Sequence, residues 1–512
     1  MTASPEADRT RVLDRVRGHL GLHPRRPSSA QGPRFLDRPY ASVQLLLLAG
    51  VGLLGFGVMM AVSTTIAASN QADGATVSIW AQVVKEAEFV AIGLPIFWAA
   101  ACLPPRMYRV LAYPAMAIAF VALCAVLIPG IGVGVYGARR WIDVGPLQLQ
   151  PSEFAKIAIL LWGADLLARK QQLGMLDRAR HLFLPLLPGF ALFAGLVMLE
   201  PDLGTTCCFM LILLGLLWMI GMPIRYFASV VAVIAASVFA LAFAAPYRWQ
   251  RLTTFMHPFK DVKTSGYHTV EGLYALASGG FFGVGLGQGT SKYGWVPNAN
   301  SDYVFSIIGE ELGLVGCVAV LALFGVLAYT GMRIARRNAD PFVRVVAGAA
   351  TIWICGQAII NVGYVVGLLP VTGIPLPFIS AGGTSLLASF FVLGMLVSFA
   401  RHEAPAIKAA RRAERLGTRT RLERWARIPV PRPYTAPKRR GATARPEAQP
   451  RPAARPAARP AAPRPAAARS ASSHKAAERP SAPRPSAPRP SAPRSSAPLR
   501  ATGTDGPRGR AG

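Results

Sequence analysis

The residues of this 512-residue chain whose types and spacing suit chemistry are few, and they sit beside long apolar runs. In NANSDYVFSIIGEELG, Asp302 stands where a polar stretch becomes apolar, with Glu310 and Glu311 following. Asp302 and Glu310 lie close to two helical turns apart and so share a face. A carboxylate at the mouth of a helix bundle, partly out of water, gains affinity for a proton and suits a general base. The same residue at a helix start also serves simply to complement the helix dipole. Position alone leaves both readings open.

Further polar clusters follow the same pattern. RRWIDVGPLQLQPSEFAKIAILLWGAD runs into a helix start at Pro151 and Ser152, with Glu153 in the first turn and Lys156 three residues on. Glu153 and Lys156 form a local ion pair, or Arg139, Arg140 and Lys156 present positive charge to an anionic ligand. In EPDLGTT, Glu200 and Asp202 flank Pro201; such a turn is structural, positions a substrate or holds a metal. YRWQRLTTFMHPFKD carries Arg248, Arg251, Lys260 and Lys263, and GGFFGVGLGQG follows at 279–289. That glycine run matches neither G-x-G-x-x-G nor a GK[ST] motif, so nucleotide binding is unsupported; closely spaced glycines instead permit sharp bends and close approach. Lys292 and the nearby arginines are suited to neutralise a phosphate-bearing substrate. GLLPVTGIPLPFISAGGTS, with Pro370, Pro375, Pro377 and Ser380, breaks regular helix, which a membrane tolerates only where protein surrounds the break.

The elements that position these residues are read from hydropathy. The chain is 52% hydrophobic and 16% charged, yet its formal net charge is +30. Residues 401–512 hold 27 Lys and Arg against 6 Asp and Glu, so most of the excess charge lies in the last fifth. The first 400 residues carry repeated apolar runs near the length that crosses about 30 Å of hydrocarbon, which excludes a soluble enzyme. The expected fold is an all-α polytopic membrane protein with ten transmembrane helices, at 43–66, 87–103, 108–129, 153–168, 182–199, 203–220, 224–245, 303–330, 345–367 and 376–399. Placing the N-terminus inside puts eleven Lys and Arg in the short cytoplasmic loops and only Arg139 and Arg140 in the short outer ones, as the positive-inside rule requires. Both termini are then cytoplasmic, and a large loop, 246–302, lies outside between spans seven and eight. Every polar cluster above falls on or near that outer face.

Residues 1–40 form a basic N-terminal segment without the features of a removable signal peptide. The membrane domain covers 41–402, and 403–427 is a basic juxtamembrane segment in which Leu416, Leu422 and Trp425 suit a short amphipathic helix on the membrane surface. From 428 the chain is rich in Pro, Ala, Arg and Ser, with RPAARPAARP at 451–460, and is expected to be a disordered tail. It is either a tether for a cytoplasmic partner or anionic lipid, or a solvated positive-inside tail; no nucleic-acid role is expected. The six cysteines, Cys102, Cys124, Cys207, Cys208, Cys317 and Cys355, fall within or at the ends of apolar runs and read as packing residues without a disulfide framework.

In order along the chain, QPSEFAK, EPDLGTT, YRWQR, GGFFGVGLGQG, SDYVFSIIGEELG and LPVTGIPLPFISAGGTS resemble the SEDS family of FtsW, RodA and SpoVE over roughly residues 35–402. Among its branches the cell-division member is the most similar, and the Arg- and Pro-rich tail is similar to actinobacterial examples. The resemblance implies a ten-span peptidoglycan glycosyltransferase polymerising lipid II, an undecaprenyl-pyrophosphate disaccharide pentapeptide, outside the cytoplasmic membrane with a class B penicillin-binding protein. It implies septal synthesis; recruitment of other division proteins through the basic tail is the functional alternative to a solvated tail. Asp302 matches the family's catalytic aspartate, the base toward the acceptor sugar 4-hydroxyl. Arg248 and Arg251 match basic loop positions and, with Lys292 or a divalent cation, magnesium or manganese, would stabilise the departing pyrophosphate. Glu310, Glu200 and Asp202 match polar family positions, with structural support and metal positioning both open. The chain departs from the usual pattern at His268, Glu271, Asn300 and Glu86, which affects expected substrate contacts and leaves Asp302 untouched.

Two further classes compete with a septal polymerase. A lipid II flippase calls for a charged cavity near the membrane midplane, whereas the charges here cluster outside. A scaffold would act through its spans and tail. Within the enzyme class, an elongation polymerase of the RodA type is the alternative.

Overall fold

The computed structural model describes residues 35–69, 79–135, 138–145, 147–175, 183–243, 255, 257–260, 266–296, 299–418 and 429–435. The chain divides into two units, Met1–Pro437 and Lys438–Gly512, and the second lies wholly outside the described residues. So do residues 1–34 of the expected N-terminal segment, and Leu422 and Trp425 of the juxtamembrane one.

After a short 3-10 turn at Phe35–Asp37, the helices are α1 (Ala41–Ser69), α2 (Ile79–Cys102), α3 (Pro105–Leu127), α4 (Pro151–Gln172), α5 (Leu186–Leu199), α6 (Leu203–Met219), α7 (Ile224–Phe243), α8 (Tyr267–Ser278), α9 (Val304–Arg337), α10 (Pro341–Val365), α11 (Gly383–Arg401) and α12 (Ala404–Arg415). Among the described residues α1, α3, α9, α10 and α11 are long and apolar enough to cross a membrane, and the chain is a multi-pass membrane protein. All six cysteines are free thiols.

Three expectations need correction. The fold is not all-α: an antiparallel sheet, β1 (Gly132–Val135), β2 (Ala138–Val144) and β3 (Leu147–Leu149), fills the connection between α3 and α4. Ile142 pairs with both Gly132 and Leu149, so strands too short to stand alone support one another. The last apolar segment does not become helical at 376, because prolines at 375 and 377 interrupt the ladder and the Leu376 N–H bonds the Ser380 hydroxyl; α11 starts only at Gly383. Lastly, part of the expected disordered tail is held: Arg401 donates to the Pro429 carbonyl at 2.8 Å, Gln172 donates to the Tyr434 hydroxyl at 3.0 Å, and Pro431 is buried.

With no apolar/aqueous contrast to drive helices together inside a bilayer, small residues that permit close approach do much of the work. The α2–α11 seam is built this way. A Cβ on Gly383 would lie 2.2 Å from the Phe89 ring, one on Gly93 2.2 Å from Phe390, and one on Gly394 2.4 Å from the Phe97 carbonyl. Helix α4 is buried on nearly every side despite Glu153, Lys156 and Asp165. At one end of the bundle Asp165 pairs with Arg169 at 2.7 Å and lies 3.9 Å from Arg109, which also bonds Asp340, the N-cap of α10. The sites that concern function lie at the other end.

There α9 is broken. Gly313 takes φ 66°, ψ −163° and divides a half-helix, 304–312, from the longer 314–337. Four peptide groups lose their helical partners, and the glycine-rich segment supplies new ones. Val284 and Gly285 N–H donate to the Glu310 and Glu311 carbonyls at 2.9 and 3.1 Å, while Leu314 and Val315 N–H donate to the Gly280 and Phe281 carbonyls at 3.0 and 3.3 Å. In a membrane protein such groups must be satisfied internally.

Gly283 tests this contact. Its φ is 81°, and a Cβ there would fall 2.2 Å from the Glu311 carbonyl oxygen. Gly283→Ala is expected to cost at least about 1–2 kcal/mol from the left-handed backbone alone, with the collision added, and to lower the unfolding temperature in detergent. An unchanged transition would mean that segment and half-helix are not so joined.

Candidate functional site

Asp302 lies one residue before the buried Tyr303 that precedes α9, and its main chain is held from α10 and from the segment before α11. Asn361 Nδ2 donates to the Asp302 carbonyl at 3.1 Å and to the Ile374 carbonyl at 2.8 Å. The Tyr364 hydroxyl lies 2.9 Å from the same two oxygens and receives Asn361 Nδ2 at 2.6 Å. Both side chains are fully buried. One residue back, the Ser380 hydroxyl donates to the Ser301 carbonyl at 2.6 Å while accepting from Leu376 N–H at 2.7 Å, and Ala381 N–H donates to the Asn300 carbonyl at 2.9 Å. Residues 300–302 are thereby fastened to 374–381 by main-chain carbonyls. The Asp302 side chain lies beside Gly373, where a Cβ would sit 3.8 Å from Oδ2.

The fastening segment is itself constrained. Phe378 is a buried non-glycine residue at φ 66°, a strained backbone region of the kind that persists only where its surroundings enforce it. Gly57 of α1 allows that backbone close, since a Cβ there would fall 2.5 Å from the Phe378 carbonyl. From the opposite side, Gln357 Nε2 donates to the Pro375 carbonyl at 2.9 Å and its Oε1 accepts from Trp353 Nε1 at 3.0 Å. An apolar cavity of about 340 Å³ lies between α1, α2 and this segment, with Leu54, Val58, Val90 and Phe378 in its walls and Glu86 and Ser380 as polar members.

The other expected residues are distributed as follows. Lys156 is buried, bonds Glu153 at 2.7 Å and lies 5.4 Å over the Trp353 ring, so its charge is met inside the protein. Lys292 is likewise internal: its ammonium bonds Glu311 Oε1 at 2.7 Å, the Ser63 hydroxyl at 2.8 Å and the Gly287 carbonyl at 2.9 Å. Glu310 Oε1 accepts from Thr290 and Ser291 N–H at 2.8 and 3.1 Å, tying the loop that precedes Asp302 to the half-helix. Arg139 is exposed on β2; Arg140 donates to the Glu200 carbonyl at 3.1 Å and to the Pro201 carbonyl. Arg248 and Arg251 lie outside the described residues. Of the departures, Glu86 lines the cavity, His268 and Glu271 fall on α8, and Asn300 acts through its carbonyl.

Asp202 caps α6, accepting from Thr205 N–H at 3.0 Å and the Thr205 hydroxyl at 2.7 Å, and also receives Gln150 Nε2 at 3.2 Å. A Cβ on Gly204 would meet the Thr372 carbonyl at 3.1 Å, so this turn packs on the non-helical segment that borders Asp302. Glu200 differs: both carboxyl oxygens are buried without a hydrogen-bond partner among the described residues. Burial, reinforced by the negative charge of Asp202 and opposed by Arg140, pushes its carboxyl up to about 8. No group of three or more His, Cys, Asp or Glu suited to a metal ion occurs among the described residues.

Asn361, Tyr364 and Gln357 were not singled out from the sequence. Their signal was present: positions 357, 361 and 364 share one face of an otherwise apolar helix, and polar side chains at membrane depth need partners.

Comparison with known proteins places this geometry in context. Residues 44–404 match the FtsW/RodA/SpoVE family model, described as cell cycle protein. The chain is 42% identical over 406 residues to a probable peptidoglycan glycosyltransferase FtsW of Mycobacterium tuberculosis, covering 79% of this chain and 75% of the relative. It is 38% identical over 288 residues to stage V sporulation protein E of Bacillus subtilis, covering 56% and 78%. Among solved structures, a chain of a peptidoglycan synthase complex superposes with TM-score 0.57 at 26% identity, covering 70% of this chain and 96% of that one. A variant of rod-shape-determining protein RodA from Thermus thermophilus has the same fold, with TM-score 0.50 at 24% identity over 70% and 97%.

The environment of Glu200 has a measurable consequence. The folded state favours its acid form, so this contribution to stability is fully present below the ordinary carboxyl value of 4.5 and is lost as pH rises toward about 8. Glu200→Gln keeps a neutral side chain at every pH. Its unfolding temperature is expected to fall less than the parent's between about pH 5 and about pH 8; identical pH slopes would show that Glu200 is not held neutral.

Proposed function

The chain belongs to the FtsW/RodA/SpoVE family of cell cycle proteins, and from that membership we infer that it is a peptidoglycan glycosyltransferase that polymerises lipid II at the outer face of the cytoplasmic membrane. Ten spans with both termini cytoplasmic are part of this reading, as is service at the division septum. The orientation is supported by the basic residues of the end at which Arg109, Arg169 and Arg337 form their ion pairs.

The observation that carries the reading is the immobilised main chain of Asp302. Its carbonyl is bound by Asn361 and Tyr364, leaving the side chain to be directed by a fixed backbone beside Gly373. In the proposed step the Asp302 carboxylate takes the proton of the acceptor sugar 4-hydroxyl. The oxygen attacks the donor anomeric carbon, its bond to phosphate breaks, and undecaprenyl pyrophosphate leaves with inversion. Holding the base rigidly converts an encounter into an oriented reaction, an effect large enough that a displacement of about 1 Å can cost 100-fold. Arg139 and, outside the described residues, Arg248 and Arg251 are the cations we assign to the pyrophosphate. Lys156, Lys292, Glu310 and Ser380 act on substrate indirectly in this reading, by fixing the walls around it. The apolar cavity beside Ser380 supports a lipid-linked substrate. A divalent cation, magnesium or manganese, would share with these arginines the stabilisation of the departing pyrophosphate.

A class B penicillin-binding protein is the proposed partner, supported by the likeness to a chain of a peptidoglycan synthase complex. The basic tail would recruit other division proteins. A flippase remains the competing class, and one substitution separates the two. Purified chain with its partner is expected to make glycan strands from lipid II, and Asp302→Asn to lose at least about 100-fold in rate, a typical general-base contribution. Polymerisation surviving in that variant would remove Asp302 from the role; no polymerisation by the parent would favour transport.

A further inference from the structure

The tripeptide Pro-Arg-Pro occurs five times toward the end of the chain, at 431–433, 450–452, 463–465, 483–485 and 488–490. The residue that follows it is Tyr434 in the first copy and Ala453, Ala466, Ser486 and Ser491 in the others. Only the first copy lies among the described residues, and it rests on the end of the membrane domain away from Asp302. There Arg401 donates from Nη1 to the Ala101 carbonyl at 2.9 Å and from Nη2 to the Pro429 carbonyl at 2.8 Å. One guanidinium thus joins the ends of α2 and α11 to the segment. Pro431 is buried, while Arg432 and Pro433 are exposed.

Beyond them Tyr434 is half-buried, and its hydroxyl accepts from Nε2 of Gln172, the last residue of α4, at 3.0 Å. Burial, with the negative charge of Asp340 added and the positive charge of Arg109 opposing, pushes that hydroxyl up, so it stays a neutral phenol. The same two neighbours put the ring near the starts of α3 and α10. At the polyproline II rise of about 3.1 Å per residue, Pro429 to Tyr434 spans about 16 Å, enough to cross from the end of α11 to that of α4 as a strap. Prolines at 429, 431 and 433 restrict the backbone before it docks, which lowers the ordering cost of docking.

We propose that these helix ends form a docking groove for a proline-rich strap of this chain, residues 429–435, and that Tyr434 selects the first Pro-Arg-Pro copy over the four that follow. Nearness also favours the first copy, but weakly. Moving from Pro429 to its counterpart Ala448 lengthens the connection from Thr418 from about 11 to about 30 residues, which lowers the chance of closure only about fivefold. The Tyr434 hydrogen bond contributes about another fivefold, and its half-buried ring adds to that. Every copy can supply a main-chain carbonyl and a proline; the first alone supplies the phenol. The docking depends on none of the chemistry proposed at Asp302.

The test is a spin label on Arg432→Cys, an exposed position, in the full chain reconstituted in phosphatidylcholine vesicles, with the equally treated parent subtracted as a blank. Docking predicts a broad, immobilised spectrum. Tyr434→Ala, and separately Gln172→Leu from the other side of the contact, are each expected to lower the ratio of immobilised to mobile label at least about fivefold. A label on Arg451→Cys is expected to become immobilised when Ala453→Tyr is combined with Tyr434→Ala, at about a fifth of the ratio seen for the first copy. A mobile spectrum at 432 in the otherwise unchanged chain, or one that neither substitution alters, would overturn the docking. Failure of Ala453→Tyr to immobilise position 451 would overturn selection by the tyrosine and assign the choice to nearness.

Discussion

Peptide groups that leave a helix at membrane depth have no water to turn to, and the Asp302 end of this protein is organised around meeting that requirement. Two breaks are needed near Asp302: one where α9 divides at Gly313, and one where prolines keep 374–381 out of α11. Buried Asn361 and Tyr364 serve the second break and the start of α9 together, since each reaches both the Ile374 and Asp302 carbonyls. The glycine segment serves the first. Asp302, at the junction of two such breaks, inherits the rigidity of both.

This explains why so much charge near the site points inward. Lys292, Glu311 and Ser63 join the segment before α9, α9 itself and α1 in one buried contact, and Glu310 secures the loop just before Asp302. Lys156 and Glu153 do the same within α4, against Trp353 of α10. Removing one member of such a pair leaves an uncompensated charge in a low-dielectric interior, at a typical cost of about 3–5 kcal/mol. The pairs are therefore poor choices for grasping a substrate that must bind and leave. They are good choices for holding walls in register.

Much of this was legible in the sequence, and the reasons differ by element. Apolar runs locate spanning helices because the bilayer imposes a length, and the helical spacing of Glu153 and Lys156 offers their pair as one of two readings, the other being a Lys156 turned to an anionic ligand. Asp302 stood out as a charge at the start of an apolar run, and its family resemblance gave it a role. The Asn361–Tyr364 clamp was hidden because its partners lie 59 and 62 residues away and are carbonyls, which carry no side-chain signature. Lys292 was read as a phosphate ligand because nothing local reveals a partner 229 residues distant at Ser63. The β1–β3 sheet is not legible in the sequence because its strands are short and β1 is half glycine, so that their pairing rather than their composition defines them.

Chemistry at Asp302 would depend on its clamped main chain. Its most direct test is steady-state polymerisation of lipid II by Asn361→Leu, assayed with the penicillin-binding partner and checked for an intact thermal transition. The clamp predicts turnover reduced by at least about tenfold, equivalent to about 1.4 kcal/mol of barrier, with the half-saturating lipid II concentration essentially unchanged. A folded variant with parental turnover, or one altered only in its half-saturating concentration, would contradict it.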